Sequence, residues 1–172
     1  QAINDLLAMV SEEAASPQQV DAAYEAFKEA LAIAYAGLNV KPCAGVEEVF
    51  IFLRKQDIKI VLNTGYNQAT AQSLVDKLGW QNGTDFDLLI TADMVEHSRP
   101  APDMILLAMQ QLGLNDATTV AKVGDTAIDM EEGRSANCGL LVGITTGAQT
   151  PTQIASAKPD FIINSLSELP AL

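Results

Sequence analysis

One segment indicates the fold of this chain more clearly than any other: Val120-Ala-Lys-Val-Gly-Asp-Thr-Ala-Ile-Asp129. Its first residues form a short, mostly apolar run of strand length, which ends at Gly124 and Asp125, and a helical pattern follows. A strand that passes directly into a helix is half of a βαβ unit, in which helices join parallel strands. We therefore predict a strand over 120–123 and a helix over 127–136.

The same alternation of strand and helix patterns continues on both sides of this segment. Apolar runs of strand length alternate with helical patterns of about 10 to 12 residues, which is typical of a parallel sheet covered by helices. We therefore predict an α/β fold over 42–172, a Rossmann-like parallel sheet with helices on both faces. The other predicted strands are 58–62, 87–90, 140–144 and 161–163, and the other predicted helices are 46–53, 67–78, 102–112 and a short one near Gln153.

Residues 1–41 have a different pattern, which is helical almost throughout. Apolar residues repeat at helix spacing from Ile3 to Val10, and Ser16-Pro17 then offers an N-cap followed by proline at the first helical position. A second apolar stripe runs from Val20 to Tyr35 and ends near Gly37. We predict a separate helical unit over 1–41 that packs this stripe internally, and pairing of the helices across a homodimer is the alternative.

The composition restricts the classes of partner. The chain has 172 residues with 10 basic and 22 acidic side chains, and its net charge is −12. We expect no binding to nucleic acid or to an anionic membrane surface, since both attract clustered Lys and Arg. The sequence shows no apolar run of membrane-spanning length and no secretory signal pattern. Two cysteines are too few for a disulfide framework, so we expect a cytoplasmic protein in which Cys43 and Cys138 are small buried residues.

The residues that follow each strand are the candidates for a site, because ligands of open parallel sheets bind at the carboxyl ends of the strands. Asn63-Thr64-Gly65-Tyr66 follows the first predicted strand and leads into a helix. A hydroxyl, a glycine and the N–H groups of a helix N-terminus can together bind an anion. A structural N-cap and turn is the alternative for the same residues.

Arg99 follows the second predicted strand and lies just before a helix that Pro100 and Pro102 help to start. A cation is unfavourable beside a helix N-terminus, because the helix dipole prefers an anion there. We infer that this local conflict reflects a function, and that Arg99 is placed to bind a ligand.

Asp125 and Asp129 follow the third predicted strand, one at its end and the other a helical turn later. Their spacing places both carboxylates on the same side, and paired carboxylates suit a hard cation with oxygen ligands, Mg²⁺ above all. The alternative is that the two acids cap the helix and complement its dipole. An anion site, a fixed cation and a metal-binding acid pair at three consecutive strand ends together indicate phosphoryl transfer.

These motifs resemble those of the haloacid dehalogenase (HAD) superfamily of aspartate-nucleophile hydrolases. Asn63-Thr64-Gly65-Tyr66 is similar to its second motif, Arg99 to its third, and residues 124–129 to its fourth, Gly-Asp-x-x-x-Asp. A narrower resemblance, to the phosphonoacetaldehyde hydrolase branch, rests on Thr64-Gly65-Tyr66, Arg99-Pro100 and Lys122-Val-Gly-Asp-Thr126. It implies a HAD-like core over 42–172 and, in residues 1–41, part of the α-helical cap of that branch.

The resemblance implies a two-step hydrolysis of a small phosphorylated or phosphonate substrate. Thr64 and Gly65 would bind the phosphoryl oxygens, and Arg99 would counter the developing charge. Asp125 would hold Mg²⁺, and Asp129 would orient Asp125 or a metal-bound water. The expected catalytic residues are Thr64, Arg99, Asp125 and Asp129, the expected substrate-binding residues are Thr64, Gly65, Tyr66 and Arg99, and the expected metal ligands are Asp125 and Asp129.

One motif of the family has no counterpart in this sequence. The first motif, Asp-x-Asp-Gly-Thr, supplies the nucleophile on the central strand, whereas Asp85-Phe86-Asp87 precedes its strand instead of following it. We expect that the 172 residues lack an N-terminal portion of the enzyme, that the nucleophile lies before Gln1, and that these residues alone have no turnover. Without the central strand, a gap of about 10 Å would separate its neighbours.

Three functions stay open at this point. The first is a phosphatase that acts on a small phosphorylated metabolite through an aspartyl-phosphate. The second is cleavage of the C–P bond of phosphonoacetaldehyde, which in the family uses a Schiff-base lysine of the cap that would lie before Gln1. The third is a non-catalytic module that binds a metal or a partner.

Overall fold

The structure is a computed structural model, and it describes residues 16–172. The chain divides into two units, residues 1–39 and 40–172. Helix α1, Pro17–Gly37, belongs to the first unit, and Ser16 begins it with a capping box in which Ser16 and Gln19 each accept the other's backbone N–H. The predicted helix start is confirmed, while the helix predicted over 3–10 lies outside the described residues. Neither α1 nor another helix within 16–172 is long and apolar enough to cross a membrane.

The second unit alternates strands and helices as the sequence predicts. Each strand is three to five residues long, and most are followed by a helix that returns the chain to the start of the next strand. The strands are β1 Val61–Thr64, β2 Leu88–Thr91, β3 Ala121–Gly124, β4 Leu140–Ile144 and β5 Phe161–Ile163, and the helices are α2 Val46–Lys55, α3 Gln68–Leu78, α4 Asp103–Leu112, α5 Ala127–Ser135 and α6 Pro151–Ser156.

All strand pairs are parallel, which confirms the predicted α/β class. The strands form two groups, however: β1 pairs with β2, and β3, β4 and β5 pair in that order. The division into two groups agrees with the gap predicted where a central strand is missing from the described residues. In the first group Val61 is opposite Leu88, and in the second Val123 is opposite Val142.

The first strand begins later than predicted. The apolar run over 58–62 suggested a strand, but Ile58 donates its N–H to the carbonyl of Leu53 and completes the turn after α2. The N–H of Ile60 donates a hydrogen bond to Asp87 Oδ2 at 2.8 Å. Regular pairing therefore starts at Val61, because the backbone donors before it already have other partners.

Helix α4 packs against residues of both strand groups. Met104 is fully buried against Ile90 of β2, while Ile105 and Met109 pack against Ala136 at the end of α5. Two faces of α4 thus make apolar contacts with β2 of the first group and with α5, the helix that follows β3 of the second group. Burial of apolar surface in such contacts stabilises a fold by roughly 25 cal/mol per Å².

A cavity separates the two strand groups. Among the described residues β1 has a strand partner only on its β2 side, and β3 only on its β4 side. The other edges of both strands border one cavity of about 1330 Å³, which residues 61–64 and 121–124 line. A gap between these strands is what the sequence predicts in the absence of a central strand.

The two cysteines differ in their surroundings. Cys43 is exposed in the segment before α2, so the expectation that it is buried is wrong. Cys138 is half-buried beside the cluster of Ile105, Met109 and Ala136, and burial raises the pKa of its thiol. Neither cysteine forms a disulfide in the structure.

Candidate functional site

The carboxyl ends of β1, β2 and β3 meet at one side of this cavity. The Thr64–Gly65 turn follows β1, the loop with Arg99 follows β2, and the two acidic residues of the Gly-Asp motif follow β3. All residues that the sequence singles out for the site therefore line the same cavity. They are Thr64, Gly65, Tyr66, Arg99, Asp125 and Asp129.

The turn after β1 is shaped to approach Arg99. The N–H of Tyr66 donates to Thr64 Oγ1 at 3.2 Å, which closes the turn. A Cβ atom on Gly65 would lie 2.6 Å from Arg99 Nη2, so only glycine lets the guanidinium come this close to the backbone. The N-cap of α3 is Asn67, whose side chain accepts the N–H of Thr70 at 2.9 Å. The alternative interpretation of Thr64 as an N-cap is therefore wrong.

Arg99 is held by an ion pair at the edge of the cavity. Its Nη1 donates to Asp129 Oδ1 at 2.6 Å, and about a quarter of its side chain is exposed. The positive charge of Arg99 is unfavourable beside the N-terminus of α4, and the buried carboxylate of Asp129 offsets this unfavourable interaction. The remaining guanidinium N–H groups include those of Nη2, which lies close to Gly65 in the lining of the cavity.

Asp125 lines the cavity and uses one of its carboxylate oxygens within the protein. Its Oδ2 accepts the N–H of Ala148 at 2.6 Å, from the loop after β4. A Cβ atom on Gly147 would overlap this carboxylate, so the loop can wrap around Asp125 only with glycine at that position. Within the described residues Oδ1 of Asp125 makes no hydrogen bond, and it is the oxygen available to a ligand.

Asp129 is enclosed by protein donors and is only 3% exposed. Its Oδ1 faces Arg99 and Lys122 Nζ at 2.6 and 3.4 Å, and its Oδ2 accepts the Thr126 hydroxyl at 2.5 Å and the Thr126 N–H at 3.2 Å. Burial by itself would raise the pKa of this carboxyl, but Lys122, Thr126 and Arg99 together lower that pKa below its ordinary value. The carboxylate is thus ionised and fully occupied, and its role as a metal ligand stays a prediction.

The donor set fits Mg²⁺ with one protein carboxylate. Mg²⁺ prefers oxygen ligands and usually keeps several waters, with one or two carboxylates and substrate phosphate oxygens completing its shell. Asp125 Oδ1 can serve as that carboxylate. Over residues 16–172 there is no group of three or more His, Cys, Asp and Glu side chains arranged to hold a metal ion, so these residues offer only part of a Mg²⁺ coordination shell.

Sequence reasoning missed Glu132 and assigned no role to Asn63 and Lys122, which lie in the quoted motifs. Glu132 is fully buried, its Oε2 accepts Lys122 Nζ at 2.5 Å, and its Oε1 accepts Asn63 Nδ2 at 3.0 Å. Two signals were available: a lysine inside the otherwise apolar strand β3, and a glutamate three residues after Asp129 on the same helix face.

The chain belongs to the haloacid dehalogenase-like hydrolase family, whose model matches residues 5–137. It is 38% identical over 126 residues to a Dickeya dadantii protein named "Probable phosphatase IndB", covering 73% of this chain and 53% of that protein. It is 33% identical over 149 residues to phosphonoacetaldehyde hydrolase from Latilactobacillus sakei, covering 74% and 56%. The chain thus spans about half the length of these curated relatives.

Solved structures show the same fold. A phosphonoacetaldehyde hydrolase-like protein from Oleispira antarctica matches with a TM-score of 0.81 and 21% identity, over 99% of this chain and 69% of that one. A predicted phosphoglycolate phosphatase from Haemophilus somnus matches with a TM-score of 0.79 and 20% identity, over 98% and 72%. The predicted family and fold class are therefore confirmed.

Proposed function

We propose that this chain is the core of a Mg²⁺-dependent hydrolase that acts on a small phosphorylated metabolite. One observation carries the proposal: the Thr64–Gly65 turn, Arg99 and Asp125 line one cavity at the carboxyl ends of three strands. Donors on one side and a carboxylate oxygen on the other are what a phosphoryl group with a bound cation requires.

The chain's own residues would bind and orient the phosphoryl group. The hydroxyl of Thr64 and the N–H of Gly65 donate to phosphoryl oxygens, and Arg99 places positive charge on the same group. Because Asp129 already holds one side of the guanidinium, Arg99 is fixed before substrate arrives. Positioning and charge stabilisation, more than covalent chemistry, account for catalysis of phosphoryl transfer.

The proposed Mg²⁺ site uses Asp125, which lines the cavity and whose Oδ2 is fixed by the N–H of Ala148, so that Oδ1 is the oxygen proposed to bind the ion. When bound, Mg²⁺ supplies charge neutralisation for the phosphoryl oxygens. Asp129 is proposed to act indirectly: its ion pair with Arg99 and its hydrogen bond with Thr126 keep Arg99 and the start of α5 in place.

The nucleophile is an aspartate that lies outside these 172 residues, on an extended segment between β1 and β3. Unpaired edges of both strands border the cavity, and the chain spans about half the length of its curated relatives. Asp85 and Asp87 are engaged elsewhere, with the backbone N–H groups of Gln81 and Ile60. An aspartate oxygen would attack phosphorus, the P–O bond to the leaving group would break with protonation of that oxygen, and water would then hydrolyse the aspartyl-phosphate.

Helix α1 is proposed to be part of a cap that selects the substrate, since cap residues have that role in the family. Tyr66, which is 40% exposed, is proposed to line the substrate side of the pocket. We propose that the cap helices pack internally, and their pairing across a homodimer is the alternative.

A second candidate, hydrolysis of the C–P bond of phosphonoacetaldehyde, is favoured by the relatives of that name. Its Schiff base needs a lysine of the cap, which we place with the nucleophile outside these residues. Borohydride reduction of an enzyme that includes the nucleophile and the cap lysine, in the presence of phosphonoacetaldehyde, separates the two functions: a covalent adduct on lysine supports the second, and its absence with phosphate ester turnover supports the first.

Peptide complementation tests the proposal. The chain alone is assayed with Mg²⁺ and p-nitrophenyl phosphate, and again with a synthetic apolar peptide that ends in Asp-x-Asp-Gly-Thr. We expect turnover only with the peptide, since it adds a strand at exposed edges and brings the nucleophile. Replacing the first aspartate of the peptide with asparagine must abolish turnover. Metal-dependent turnover by the 172 residues alone would contradict the assignment of the nucleophile.

A further inference from the structure

Two buried charged residues of the described part of the chain, Glu132 and Lys122, form contacts beside the proposed site. Glu132 is 0% exposed and Lys122 is 7% exposed, and the two form an ion pair of 2.5 Å. Asn63 donates its Nδ2 to the other carboxylate oxygen of Glu132 at 3.0 Å. We call Asn63, Glu132 and Lys122 the buried bridge.

The buried bridge joins the two strand groups. Asn63 lies on β1 of the first group, Lys122 lies on β3 of the second, and Glu132 lies on α5, which follows β3. The strands themselves are not hydrogen-bonded to each other. Glu132 therefore makes a polar connection where a sheet would have a ladder of backbone hydrogen bonds.

Each end of the bridge is next to a different part of the site. Asn63 precedes Thr64 and Gly65, which are proposed to bind phosphoryl oxygens. Lys122 lies 3.4 Å from Asp129 and three residues before Asp125, which is proposed to hold Mg²⁺. A Mg²⁺–phosphate pair must touch both parts at once, so its affinity depends on the distance between them.

Packing alone does not explain these residues. Burial of an ion pair is costly, and apolar side chains of similar volume often stabilise a fold as well or better. Asn63 also leaves its Oδ1 buried without a hydrogen-bond partner, which is a further cost. A function that needs a fixed geometry between the strand groups accounts for both costs.

We propose that Glu132, through Asn63 and Lys122, is a positioning residue that sets the spacing between the phosphoryl-binding turn and the Mg²⁺ half of the site. The inference rests on the proposed function. Its consequence is energetic coupling: Mg²⁺ and phosphate each strengthen the binding of the other, and the bridge transmits part of that effect.

The test uses Asn63→Leu, which removes the Asn63–Glu132 hydrogen bond but leaves the Lys122–Glu132 pair intact, so the fold keeps its buried charges paired. Calorimetric titrations measure Mg²⁺ alone, inorganic phosphate alone, and phosphate at saturating Mg²⁺. We expect Mg²⁺ affinity within about twofold of wild type, and phosphate affinity in Mg²⁺ at least roughly tenfold weaker, with the coupling factor reduced by the same amount. Ile154→Ala, a substitution in the core behind β4, is the control for lost stability.

The outcomes separate the inference from the function on which it rests. Unchanged coupling in Asn63→Leu, with normal phosphate binding by wild type, overturns the inference alone. An equal loss of coupling in Ile154→Ala also overturns it, since the effect would then follow stability. No Mg²⁺-dependent phosphate binding by wild type contradicts the proposed function, and the positioning role fails with it.

Discussion

Arg99 Nη1 lies 2.6 Å from Asp129 Oδ1, and this ion pair connects the loop after β2 to the first turn of α5. The arginine of the third motif and the second aspartate of the fourth motif thus form an ion pair with each other. Both oxygens of Asp129 contact protein donors, from Arg99, Lys122 and Thr126, whereas Asp125 has one oxygen, Oδ1, without a hydrogen bond in the described residues. We therefore propose that Asp125 binds the metal ion and that Asp129 positions Arg99.

Replacing Arg99 should remove most of the phosphate affinity. Arg99→Met deletes the charged donors beside Gly65, and charge-assisted hydrogen bonds are roughly twice as strong as neutral ones. We expect phosphate affinity to fall at least about tenfold, measured by calorimetry in Mg²⁺. Arg54→Met is the matched control, because Arg54 pairs with Asp87 away from the cavity. Equal phosphate binding by Arg99→Met and wild type would contradict the role of Arg99.

Replacing Asp125 should remove Mg²⁺ binding. Asp125→Asn keeps the shape of the side chain and an acceptor for Ala148 but loses the negative charge that Mg²⁺ requires. We expect no saturable Mg²⁺ binding by calorimetry and, in a complemented enzyme, kcat lower by at least roughly 10²-fold. Asp76→Asn, on α3 away from the cavity, should bind Mg²⁺ as wild type does. Near-normal turnover of Asp125→Asn at saturating Mg²⁺ would refute the assignment.

A methyl group on Gly147 should displace the Asp125 carboxylate. The added Cβ would overlap Asp125, so the loop after β4 or the carboxylate must move. We expect Mg²⁺ affinity at least about fivefold weaker in Gly147→Ala, as measured by the same titration. Gly37→Ala is the control, since nothing lies within 4 Å of its added Cβ. Wild-type Mg²⁺ affinity in Gly147→Ala would show that Asp125 does not hold the ion.

The contribution of Asp129 to stability should depend on pH. Its pKa in the folded protein is lower than the ordinary value of about 3.9, so its stabilising effect is complete above that value and is lost as pH falls through the folded pKa. Wild type should exceed Asp129→Asn in free energy of unfolding by roughly 1–3 kcal/mol at pH 7. Urea unfolding should show this difference narrowing below about pH 4. A difference that stays constant from pH 7 to pH 3 would contradict the lowered pKa.

The sequence predicted the elements whose signals are local. Ser16-Pro17 and the apolar runs at β4 and β5 gave correct positions, because caps and short apolar runs act within a few residues. The meeting of Thr64, Arg99 and Asp125 at one cavity followed from a general rule about parallel sheets, in which all carboxyl ends share an edge.

Contacts between distant segments were not predictable in the same way. The buried bridge depends on Asn63 and Glu132, which are 69 residues apart, and no local pattern pairs them. The late start of β1 depends on Asp87 accepting the N–H of Ile60, 27 residues before it. The sequence shows that such groups exist, but the three-dimensional packing decides which of them meet.

The most direct test of the central claim is a crystal structure of the chain with Mg²⁺ and tungstate, an anion of phosphate-like shape that anomalous scattering can locate. We expect tungstate within hydrogen-bonding distance of Thr64, the N–H of Gly65 and Arg99, with Mg²⁺ on Asp125 Oδ1. Tungstate bound at another surface, with the Thr64–Gly65 turn and Asp125 free of ligand at saturating concentrations, would contradict it.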